Sequence, residues 1–475
     1  MTAVELKNVR FAYKEGLPVL DGVDFFAEYG KITLLSGMSG EGKSTLLSLI
    51  AGIIPNMVEG ELHGEVTVAG ASVKEMKTAQ ICRRVGCVLQ NAELQIVFDV
   101  TEDEVAFGCE NLAMPEPVME RRVAAACAMM ELDPRSKTRT LSGGQKQRLI
   151  TAATLSMGQK IIVLDEPLAN LDKEGTHTLM TALGKLAARG YCVIISEHRL
   201  DMVMAYADEV WNIARGKVTR VCDRRAYFAA QAEAIVNTCP APEQSAPLLS
   251  LRGVEKSFGK RLVLKGIDLD VFAGERLLIL GQNGCGKTTL MRVLARLERA
   301  DRGEIRQFID KKAGRRAGKR WFAQVGVVYQ NPNYQLFMPT VRREIEFGAQ
   351  SREYAREIIE MFDLRELENR HPQSLSEGQK RRVSIAAVVA SRPKLLLLDE
   401  PTVGQDLAGL QRLTSVLTEI HRRDNNTMIT VTHDMRPAQA LCDRAVFMEA
   451  GKIERTGGRE DVKKYFEAFA PPEER

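Results

Sequence analysis

KITLLSGMSGEGKST, residues 31 to 45, joins an apolar run to a glycine-rich loop and the start of a helical pattern. Gly37, Gly42, Lys43 and Ser44 fit the arrangement Gly-x4-Gly-Lys-Ser/Thr, with Gly40 and Thr45 beside them. In such a loop, backbone N–H groups close around phosphate oxygens, the following helix offers its N-terminus, and the lysine neutralises charge. The hydroxyl after the lysine suits Mg²⁺. The arrangement returns in ERLLILGQNGCGKTT, residues 275 to 289, with Gly281, Gly284, Gly286, Lys287, Thr288 and Thr289. Two such matches, each behind an apolar strand pattern, leave no room for an accidental glycine-rich turn.

Working outward, the whole chain reads as one domain written twice. LSGGQKQR (141–148) recurs as LSEGQKRR (375–382), and IIVLDEP (161–167) recurs as LLLLDEP (395–401). The spacing barely drifts: Lys43 to Lys287 is 244 residues, Gln90 to Gln330 is 240, and His198 to His433 is 235. This is a tandem duplication, expected as domains over 1–229 and 248–475 with a Pro-containing linker over 230–247. In each half the strand–loop–helix unit is expected to lead into roughly a hundred mostly helical residues, then short Val/Ile/Leu runs suited to a largely parallel, buried sheet.

At 475 residues the chain can hold two or three full cores. Its apolar content of 45% and charged content of 27% are ordinary for globular protein, and a net charge of +4 calls for no nucleic acid. Nine cysteines without a CxxC pair speak for reducing surroundings and against a disulfide framework or zinc site. The opening MTAVELKNVR lacks the apolar core of a signal peptide, and the runs IIVL and LLLL stop at Asp165 and Asp399, too short to cross a bilayer. Any membrane role is therefore expected to be peripheral, on the cytoplasmic face and through a partner.

Asp165-Glu166 and Asp399-Glu400 end apolar strands. There one carboxylate can hold Mg²⁺ while its neighbour orients or deprotonates an attacking water. LSGGQ before a Lys/Arg-containing helix narrows the class, and here each half resembles an ATP-binding cassette (ABC) ATPase over nearly its whole length. That resemblance implies an α/β fold of two tandem P-loop NTPase domains, each with a RecA-like core, a small antiparallel β part and a helical signature subdomain. It also implies ATP and Mg²⁺ as ligands, with Ser44, Gln90, Asp165, Thr288, Gln330 and Asp399 toward the metal. Gln90 and Gln330 match the family's glutamine loop, His198 and His433 its switch histidine, and Tyr13 and Phe258 the ring that stacks on adenine, with core packing the competing reading for both rings.

In that family two domains close head to tail, and fusing them raises their effective concentration for doing so. One site would join Lys43, Ser44, Gln90, Glu166 and His198 to the signature residues Ser376, Gly378 and Gln379. The other would join Lys287, Thr288, Gln330, Glu400 and His433 to Ser142, Gly143, Gly144 and Gln145. The halves differ at Glu377, which replaces the first signature glycine and should repel phosphate, and in the segments LANLD (168–172) and VGQD (403–406). Cys285, inside the second phosphate loop, reads either as a thiol activated by the helix N-terminus or as a small residue at a variable position. KKAGRRAGKR (311–320) reads as a solvated basic loop.

VLQNAELQIV (88–97) and VYQNPNYQLF (328–337) place a second glutamine, Gln95 or Gln335, five residues after the first, ahead of an apolar pair. Together with TEDEVAFG (101–108) and TVRREIEFG (340–348), these resemble the ATPases of energy-coupling factor (ECF) transporters, whose pattern is QNPxxQ; the first half departs from it at Ala92. The resemblance implies a transmembrane scaffold (T) component and a small substrate-binding (S) component as partners, for a vitamin, its precursor or a transition-metal ion. Gln95 and Gln335, with the apolar residues beyond them, would then form the coupling surface. Two rivals also carry twin cassettes: a fused sugar-importer ATPase, and a soluble ATPase acting on ribosomes, whose long charged linker and N-terminal iron–sulfur cysteines have no counterpart here.

Overall fold

A computed structural model describes residues 1–475 except 15, 17, 39, 169–170, 172, 199, 233–246, 309–317, 406 and 468–475. Most of the expected linker, most of the basic stretch 311–320, and parts of 168–172 and 403–406 thus lie outside the described residues. The chain divides into two compact units, over Met1–Ala232 and Glu233–Ala470.

Each unit contains a six-stranded sheet with the same strand order. In the first unit the order is Val85–Val88, Ile161–Asp165, Cys192–Ser196, Ile32–Gly37, Glu209–Ala214, Lys217–Arg220. In the second it is Val325–Val328, Leu395–Asp399, Thr427–Val431, Arg276–Gly281, Arg444–Glu449, Lys452–Gly457. All neighbours run parallel except the last pair. Beside it lies an antiparallel sheet built on Thr2–Tyr13 in one unit and on Pro247–Phe258 in the other.

The all-apolar runs are central strands because both faces are covered. Ile162 and Leu164 point into a core shared with Leu149 and Ile150 of the helix Gly143–Ser156 and Leu179 and Leu183 of the helix Lys173–Ala188. Ile161 and Val163, one residue out of phase, join Leu46, Leu49 and Ile50 of the helix Lys43–Ile50. Leu396 and Leu398 against Leu395 and Leu397 repeat this split in the second unit. The stretch after each phosphate loop is less helical than its sequence suggests. Gly60–Val68 and Arg302–Gln307 are strands of the antiparallel sheets, and Val85–Val88 and Val325–Val328 are edge strands. GELHGEVTV and RGEIRQ carry few apolar residues, so pairing with Thr2–Tyr13 and Pro247–Phe258 makes them strands. Helices Thr101–Asn111, Glu116–Met129 and Gly143–Ser156 form the helical part of the first unit, and Val341–Gly348, Arg352–Met361 and Glu377–Val389 that of the second. Among the described residues no helix is long and apolar enough to cross a membrane.

Candidate functional site

Both phosphate loops leave the carboxyl end of a central strand, where open α/β sheets hold their ligands. Gly37 and Gly281 sit at φ +147° and +155°, and a Cβ would come 2.3 Å from the carbonyl oxygen of Ile213 or Met448. Only glycine fits so close a backbone approach. Gly42 and Gly286 follow with left-handed backbone at the mouths of the helices Lys43–Ile50 and Lys287–Leu294. Lys43 Nζ donates to the carbonyls of Gly37 (2.8 Å) and Met38 (2.7 Å), and Lys287 Nζ to those of Gly281 (2.7 Å) and Gln282 (2.9 Å). Each ammonium thus lies over its own loop, where an anion would find it.

The carboxylate pairs end strands that lie one strand removed from those of the phosphate loops. Thr288 Oγ1 donates to Asp399 Oδ2 at 3.1 Å, and Asp165 takes hydrogen bonds from Ser196 and Ser44. Burial pushes both aspartates above the usual carboxylate range, against these hydroxyls and the nearby phosphate-loop lysines. A hydroxyl and an ionisable oxygen side by side, in surroundings that penalise bare negative charge, are a donor set suited to a hard divalent cation. Glu166 and Glu400 follow with φ of +48° and +50°, strained for a residue with a side chain and of the kind that gathers at functional sites. Their N–H groups donate to the carbonyls of Ser196 (3.0 Å) and Val431 (2.9 Å).

Around the glutamates the units part. Gln90 Nε2 donates to Glu166 Oε2 at 2.9 Å, and His198 Nε2 lies 2.7 Å from Glu166 Oε1. Burial pushes the Glu166 carboxyl up, but His198, Lys43 and Gln90 outweigh it and hold the group below its ordinary value. In the second unit His433 Nε2 lies 3.4 Å from Glu400 Oε1 and 3.1 Å from Asn283 Oδ1. The Gln330 side chain forms no hydrogen bond to Glu400 among the described residues.

Ser142 and Ser376 cap their signature helices. Each hydroxyl accepts from the N–H of Gln145 or Gln379 at 3.3 Å, while that glutamine's Oε1 accepts from the serine N–H at 2.9 or 3.1 Å. Gly143 and Gly144 occupy the first turn in one unit. In the other, a Cβ on Gly378 would come 2.5 Å from the Gly404 carbonyl, and Glu377 Oε1 is paired with Lys380 Nζ at 3.1 Å. The Glu377 charge, expected to stand bare toward phosphate, thus has its own counter-ion. Tyr13 and Phe258 are roughly half exposed rather than core residues, and Tyr13 Oη lies 3.0 Å from Thr45 Oγ1. Cys285 is buried, and burial raises its thiol against the pull of Lys287, so the activated reading is corrected.

Gln95 and Gln335 do not face outward, as the sequence suggests. Gln95 Oε1 accepts from Leu89 N–H at 2.9 Å; Gln335 Oε1 accepts from Tyr329 N–H at 3.0 Å and its Nε2 donates to the Val327 carbonyl at 2.6 Å. Both amides brace the loop's own backbone, because a tight turn leaves these groups otherwise unpaired. The exposed surface is made by the apolar residues around them, with Leu94 (84% exposed) and Val97 in one unit and Tyr334 (76%), Phe337 and Phe347 in the other. Sequence reasoning passed over Glu104 and Glu344, whose carboxylates accept from Val97 and Phe98 N–H or Phe337 and Met338 N–H at 2.7–2.9 Å. Their matching places in TEDE and TVRRE, 240 residues apart, were the available signal.

Known proteins resemble this chain over nearly its whole length. The family model described as ABC transporter matches residues 20–169 and 264–403. A relative from Methanosarcina mazei is 31% identical over 544 residues, covering 99% of this chain and 90% of its own. One from Streptomyces avermitilis is 32% identical over 527 residues, covering 96% and 93%. Both are provisionally named ABC transporter ATP-binding proteins. Among solved structures, a chain in a model of ribosome-bound archaeal Pelota and ABCE1 is similar with TM-score 0.71 and 19% identity, covering 97% of this chain and 80% of that one. RNase-L Inhibitor is similar with TM-score 0.67 and 19% identity, covering 97% and 92%. At these identities the likeness to the solved structures is one of fold. Matched in both halves, the chain belongs to the ABC transporter family and is a tandem ABC ATPase.

Proposed function

We propose that this ATPase energises an ECF-type importer, docked peripherally on the cytoplasmic face of the membrane through a T component that holds an S component for a vitamin, vitamin precursor or transition-metal ion. The observation that carries this reading is the exposed apolar step directly after Gln90 and Gln330. Both units build it in the same way, braced from within by Gln95 or Gln335 and by Glu104 or Glu344. An apolar step rigidly tied to a catalytic loop suits a partner whose movement must follow the nucleotide site.

On this reading, Lys43 and Lys287 hold the phosphates. Ser44 with Asp165, and Thr288 with Asp399, hold Mg²⁺ together with Gln90 and Gln330; when bound, the metal neutralises charge on the transferring phosphoryl group. Glu166 and Glu400 orient the attacking water and take its proton, and His198 and His433 steady the γ-phosphate. Tyr13 and Phe258 offer an aromatic face to adenine. ATP binding closes the halves head to tail, signature against phosphate loop; hydrolysis to ADP and phosphate lets them reopen. Cargo is chosen by the S component.

The test is to express the tagged chain in its native host, purify it from detergent-solubilised membranes, and identify what accompanies it. A multi-span protein with a small hydrophobic subunit is the expected result. Ribosomes without a membrane protein would overturn the reading in favour of a soluble twin-cassette factor.

A further inference from the structure

The signature helix of each unit packs beside its glutamine loop, but the two units join these elements differently. In the second unit, the sequence LSEGQKRR puts Arg381 on the inner face of the helix Glu377–Val389, where it is 3% exposed. Its guanidinium donates to the Tyr329 carbonyl at 2.7 Å and to the Gln330 carbonyl. Two successive carbonyls gripped by one planar, rigid fork fix the backbone where the Gln330 side chain departs. In the first unit the same place holds Gln147, fully buried, whose side-chain amide has no hydrogen-bond partner among the described residues. There the link lies on the surface, where Lys146 Nζ donates to Glu93 Oε1 at 2.6 Å. The second unit has Asn333 in place of Glu93, and its Lys380 turns to Glu377.

A buried cation is costly unless something offsets its desolvation. Burial pushes the Arg381 guanidinium down to about 10, while Glu400, Glu377 and Asp399 favour its charge. Arg381 therefore lies in the field of both carboxylates at the hydrolytic site while holding the loop that brings Gln330 to it. A glutamine there would fill similar space without charge or fork, as Gln147 does in the first unit.

We propose that Arg381 is a positioning residue for hydrolysis in the second unit, transmitting the place of the signature helix to Gln330. This rests on Gln330 serving the ATP site, as proposed above. It sets the second unit apart: its glutamine loop moves with the signature helix through a buried clamp, whereas that of the first is held at the rim.

The test uses the full chain and compares Arg381→Gln, Arg381→Lys, Gln330→Ala and the double variant Arg381→Gln/Gln330→Ala, with folding checked by thermal unfolding. Arg381→Gln should lower kcat about tenfold with KM for ATP held within about twofold, because misplacement affects the reacting geometry more than binding. Arg381→Lys, which keeps a buried donor cation, should recover part of the loss. The double variant should match Gln330→Ala to within about twofold, since a residue acting through Gln330 adds nothing once Gln330 is gone. Losses that multiply in the double variant, or a kcat for Arg381→Gln within about twofold of the parent, would overturn the proposal. If Gln330→Ala itself leaves kcat unchanged, the site reading of Gln330 fails and takes the proposal with it. Should Arg381→Gln not fold, the same cycle is run with Arg381→Lys and judged by the same rule.

Discussion

In the first unit Glu166 is met by both Gln90 and His198, at 2.9 and 2.7 Å; in the second, His433 is 3.4 Å from Glu400 and also reaches Asn283. The two strands, the two positive φ angles and the two aspartates match closely. What differs is contributed by side chains from distant loops. Duplication has therefore kept the frame that aims the carboxylate and let the neighbours that tune it drift. A carboxylate held below its ordinary pKa is a weaker base, so Glu166 is expected to draw a proton from water less readily than an unperturbed glutamate would.

The largest effect should come from the glutamates. Glu166→Gln/Glu400→Gln should lower steady-state phosphate release by about 10²-fold or more while still binding ATP. Of the single variants, Glu400→Gln should cost more turnover than Glu166→Gln. The reverse order would break the comparison at its root.

Next come the aspartates, where function and stability should move in opposite directions. Asp165→Asn and Asp399→Asn should each abolish most Mg²⁺-dependent turnover. Each should also raise Tm, by a few degrees for every kcal/mol of relieved burial cost. The sign follows from the raised pKa: a buried carboxyl that resists ionising binds protons more tightly folded than unfolded, so the parent loses stability as pH climbs through the usual carboxylate range to the raised value. The Tm gap between parent and variant should thus be small in acid and full at neutral pH. Thermal unfolding across that range measures it.

A smaller change is expected at the signature. With Lys380 paired to Glu377, removing the carboxylate relieves little repulsion, so Glu377→Gly should change ATPase activity by less than about threefold. Glycine in the first turn should also cost about 0.5–1 kcal/mol of helix stability. A rise in activity beyond tenfold would mean the carboxylate does oppose phosphate, and would sharpen the contrast between signatures.

Much of this is legible in the sequence. The phosphate loops, the Asp-Glu strand ends and the tandem repeat are local patterns, and uninterrupted runs such as IIVL, stopped by Asp-Glu, suit strands covered on both faces. The strands Gly60–Val68 and Arg302–Gln307 were not legible, since polar sequences become strands only by pairing with partners far along the chain. Gln95 and Gln335 were found but aimed the wrong way: spacing shows that a glutamine recurs, not which unpaired carbonyl it turns to. Arg381 looked like one more cation in a basic helix, because its burial depends on the Tyr329 and Gln330 carbonyls arriving from another element.

The smallest effect belongs to the rim link of the first unit. Lys146 and Glu93 pair at 2.6 Å, with the Glu93 side chain about half exposed. Water screens such a pair and ordering two long side chains opposes it, so a double-mutant cycle over Glu93→Ala and Lys146→Ala should give only about 0.2–1 kcal/mol, falling with added salt. Turnover should change little, because Gln90 is held to Glu166 by its own hydrogen bond and needs no clamp from the helix. If Lys146→Ala instead lowered kcat as far as Arg381→Gln does, the two links would be equivalent devices. The asymmetry would then lie only in the glutamates' immediate neighbours, not in how each loop is joined to its signature helix.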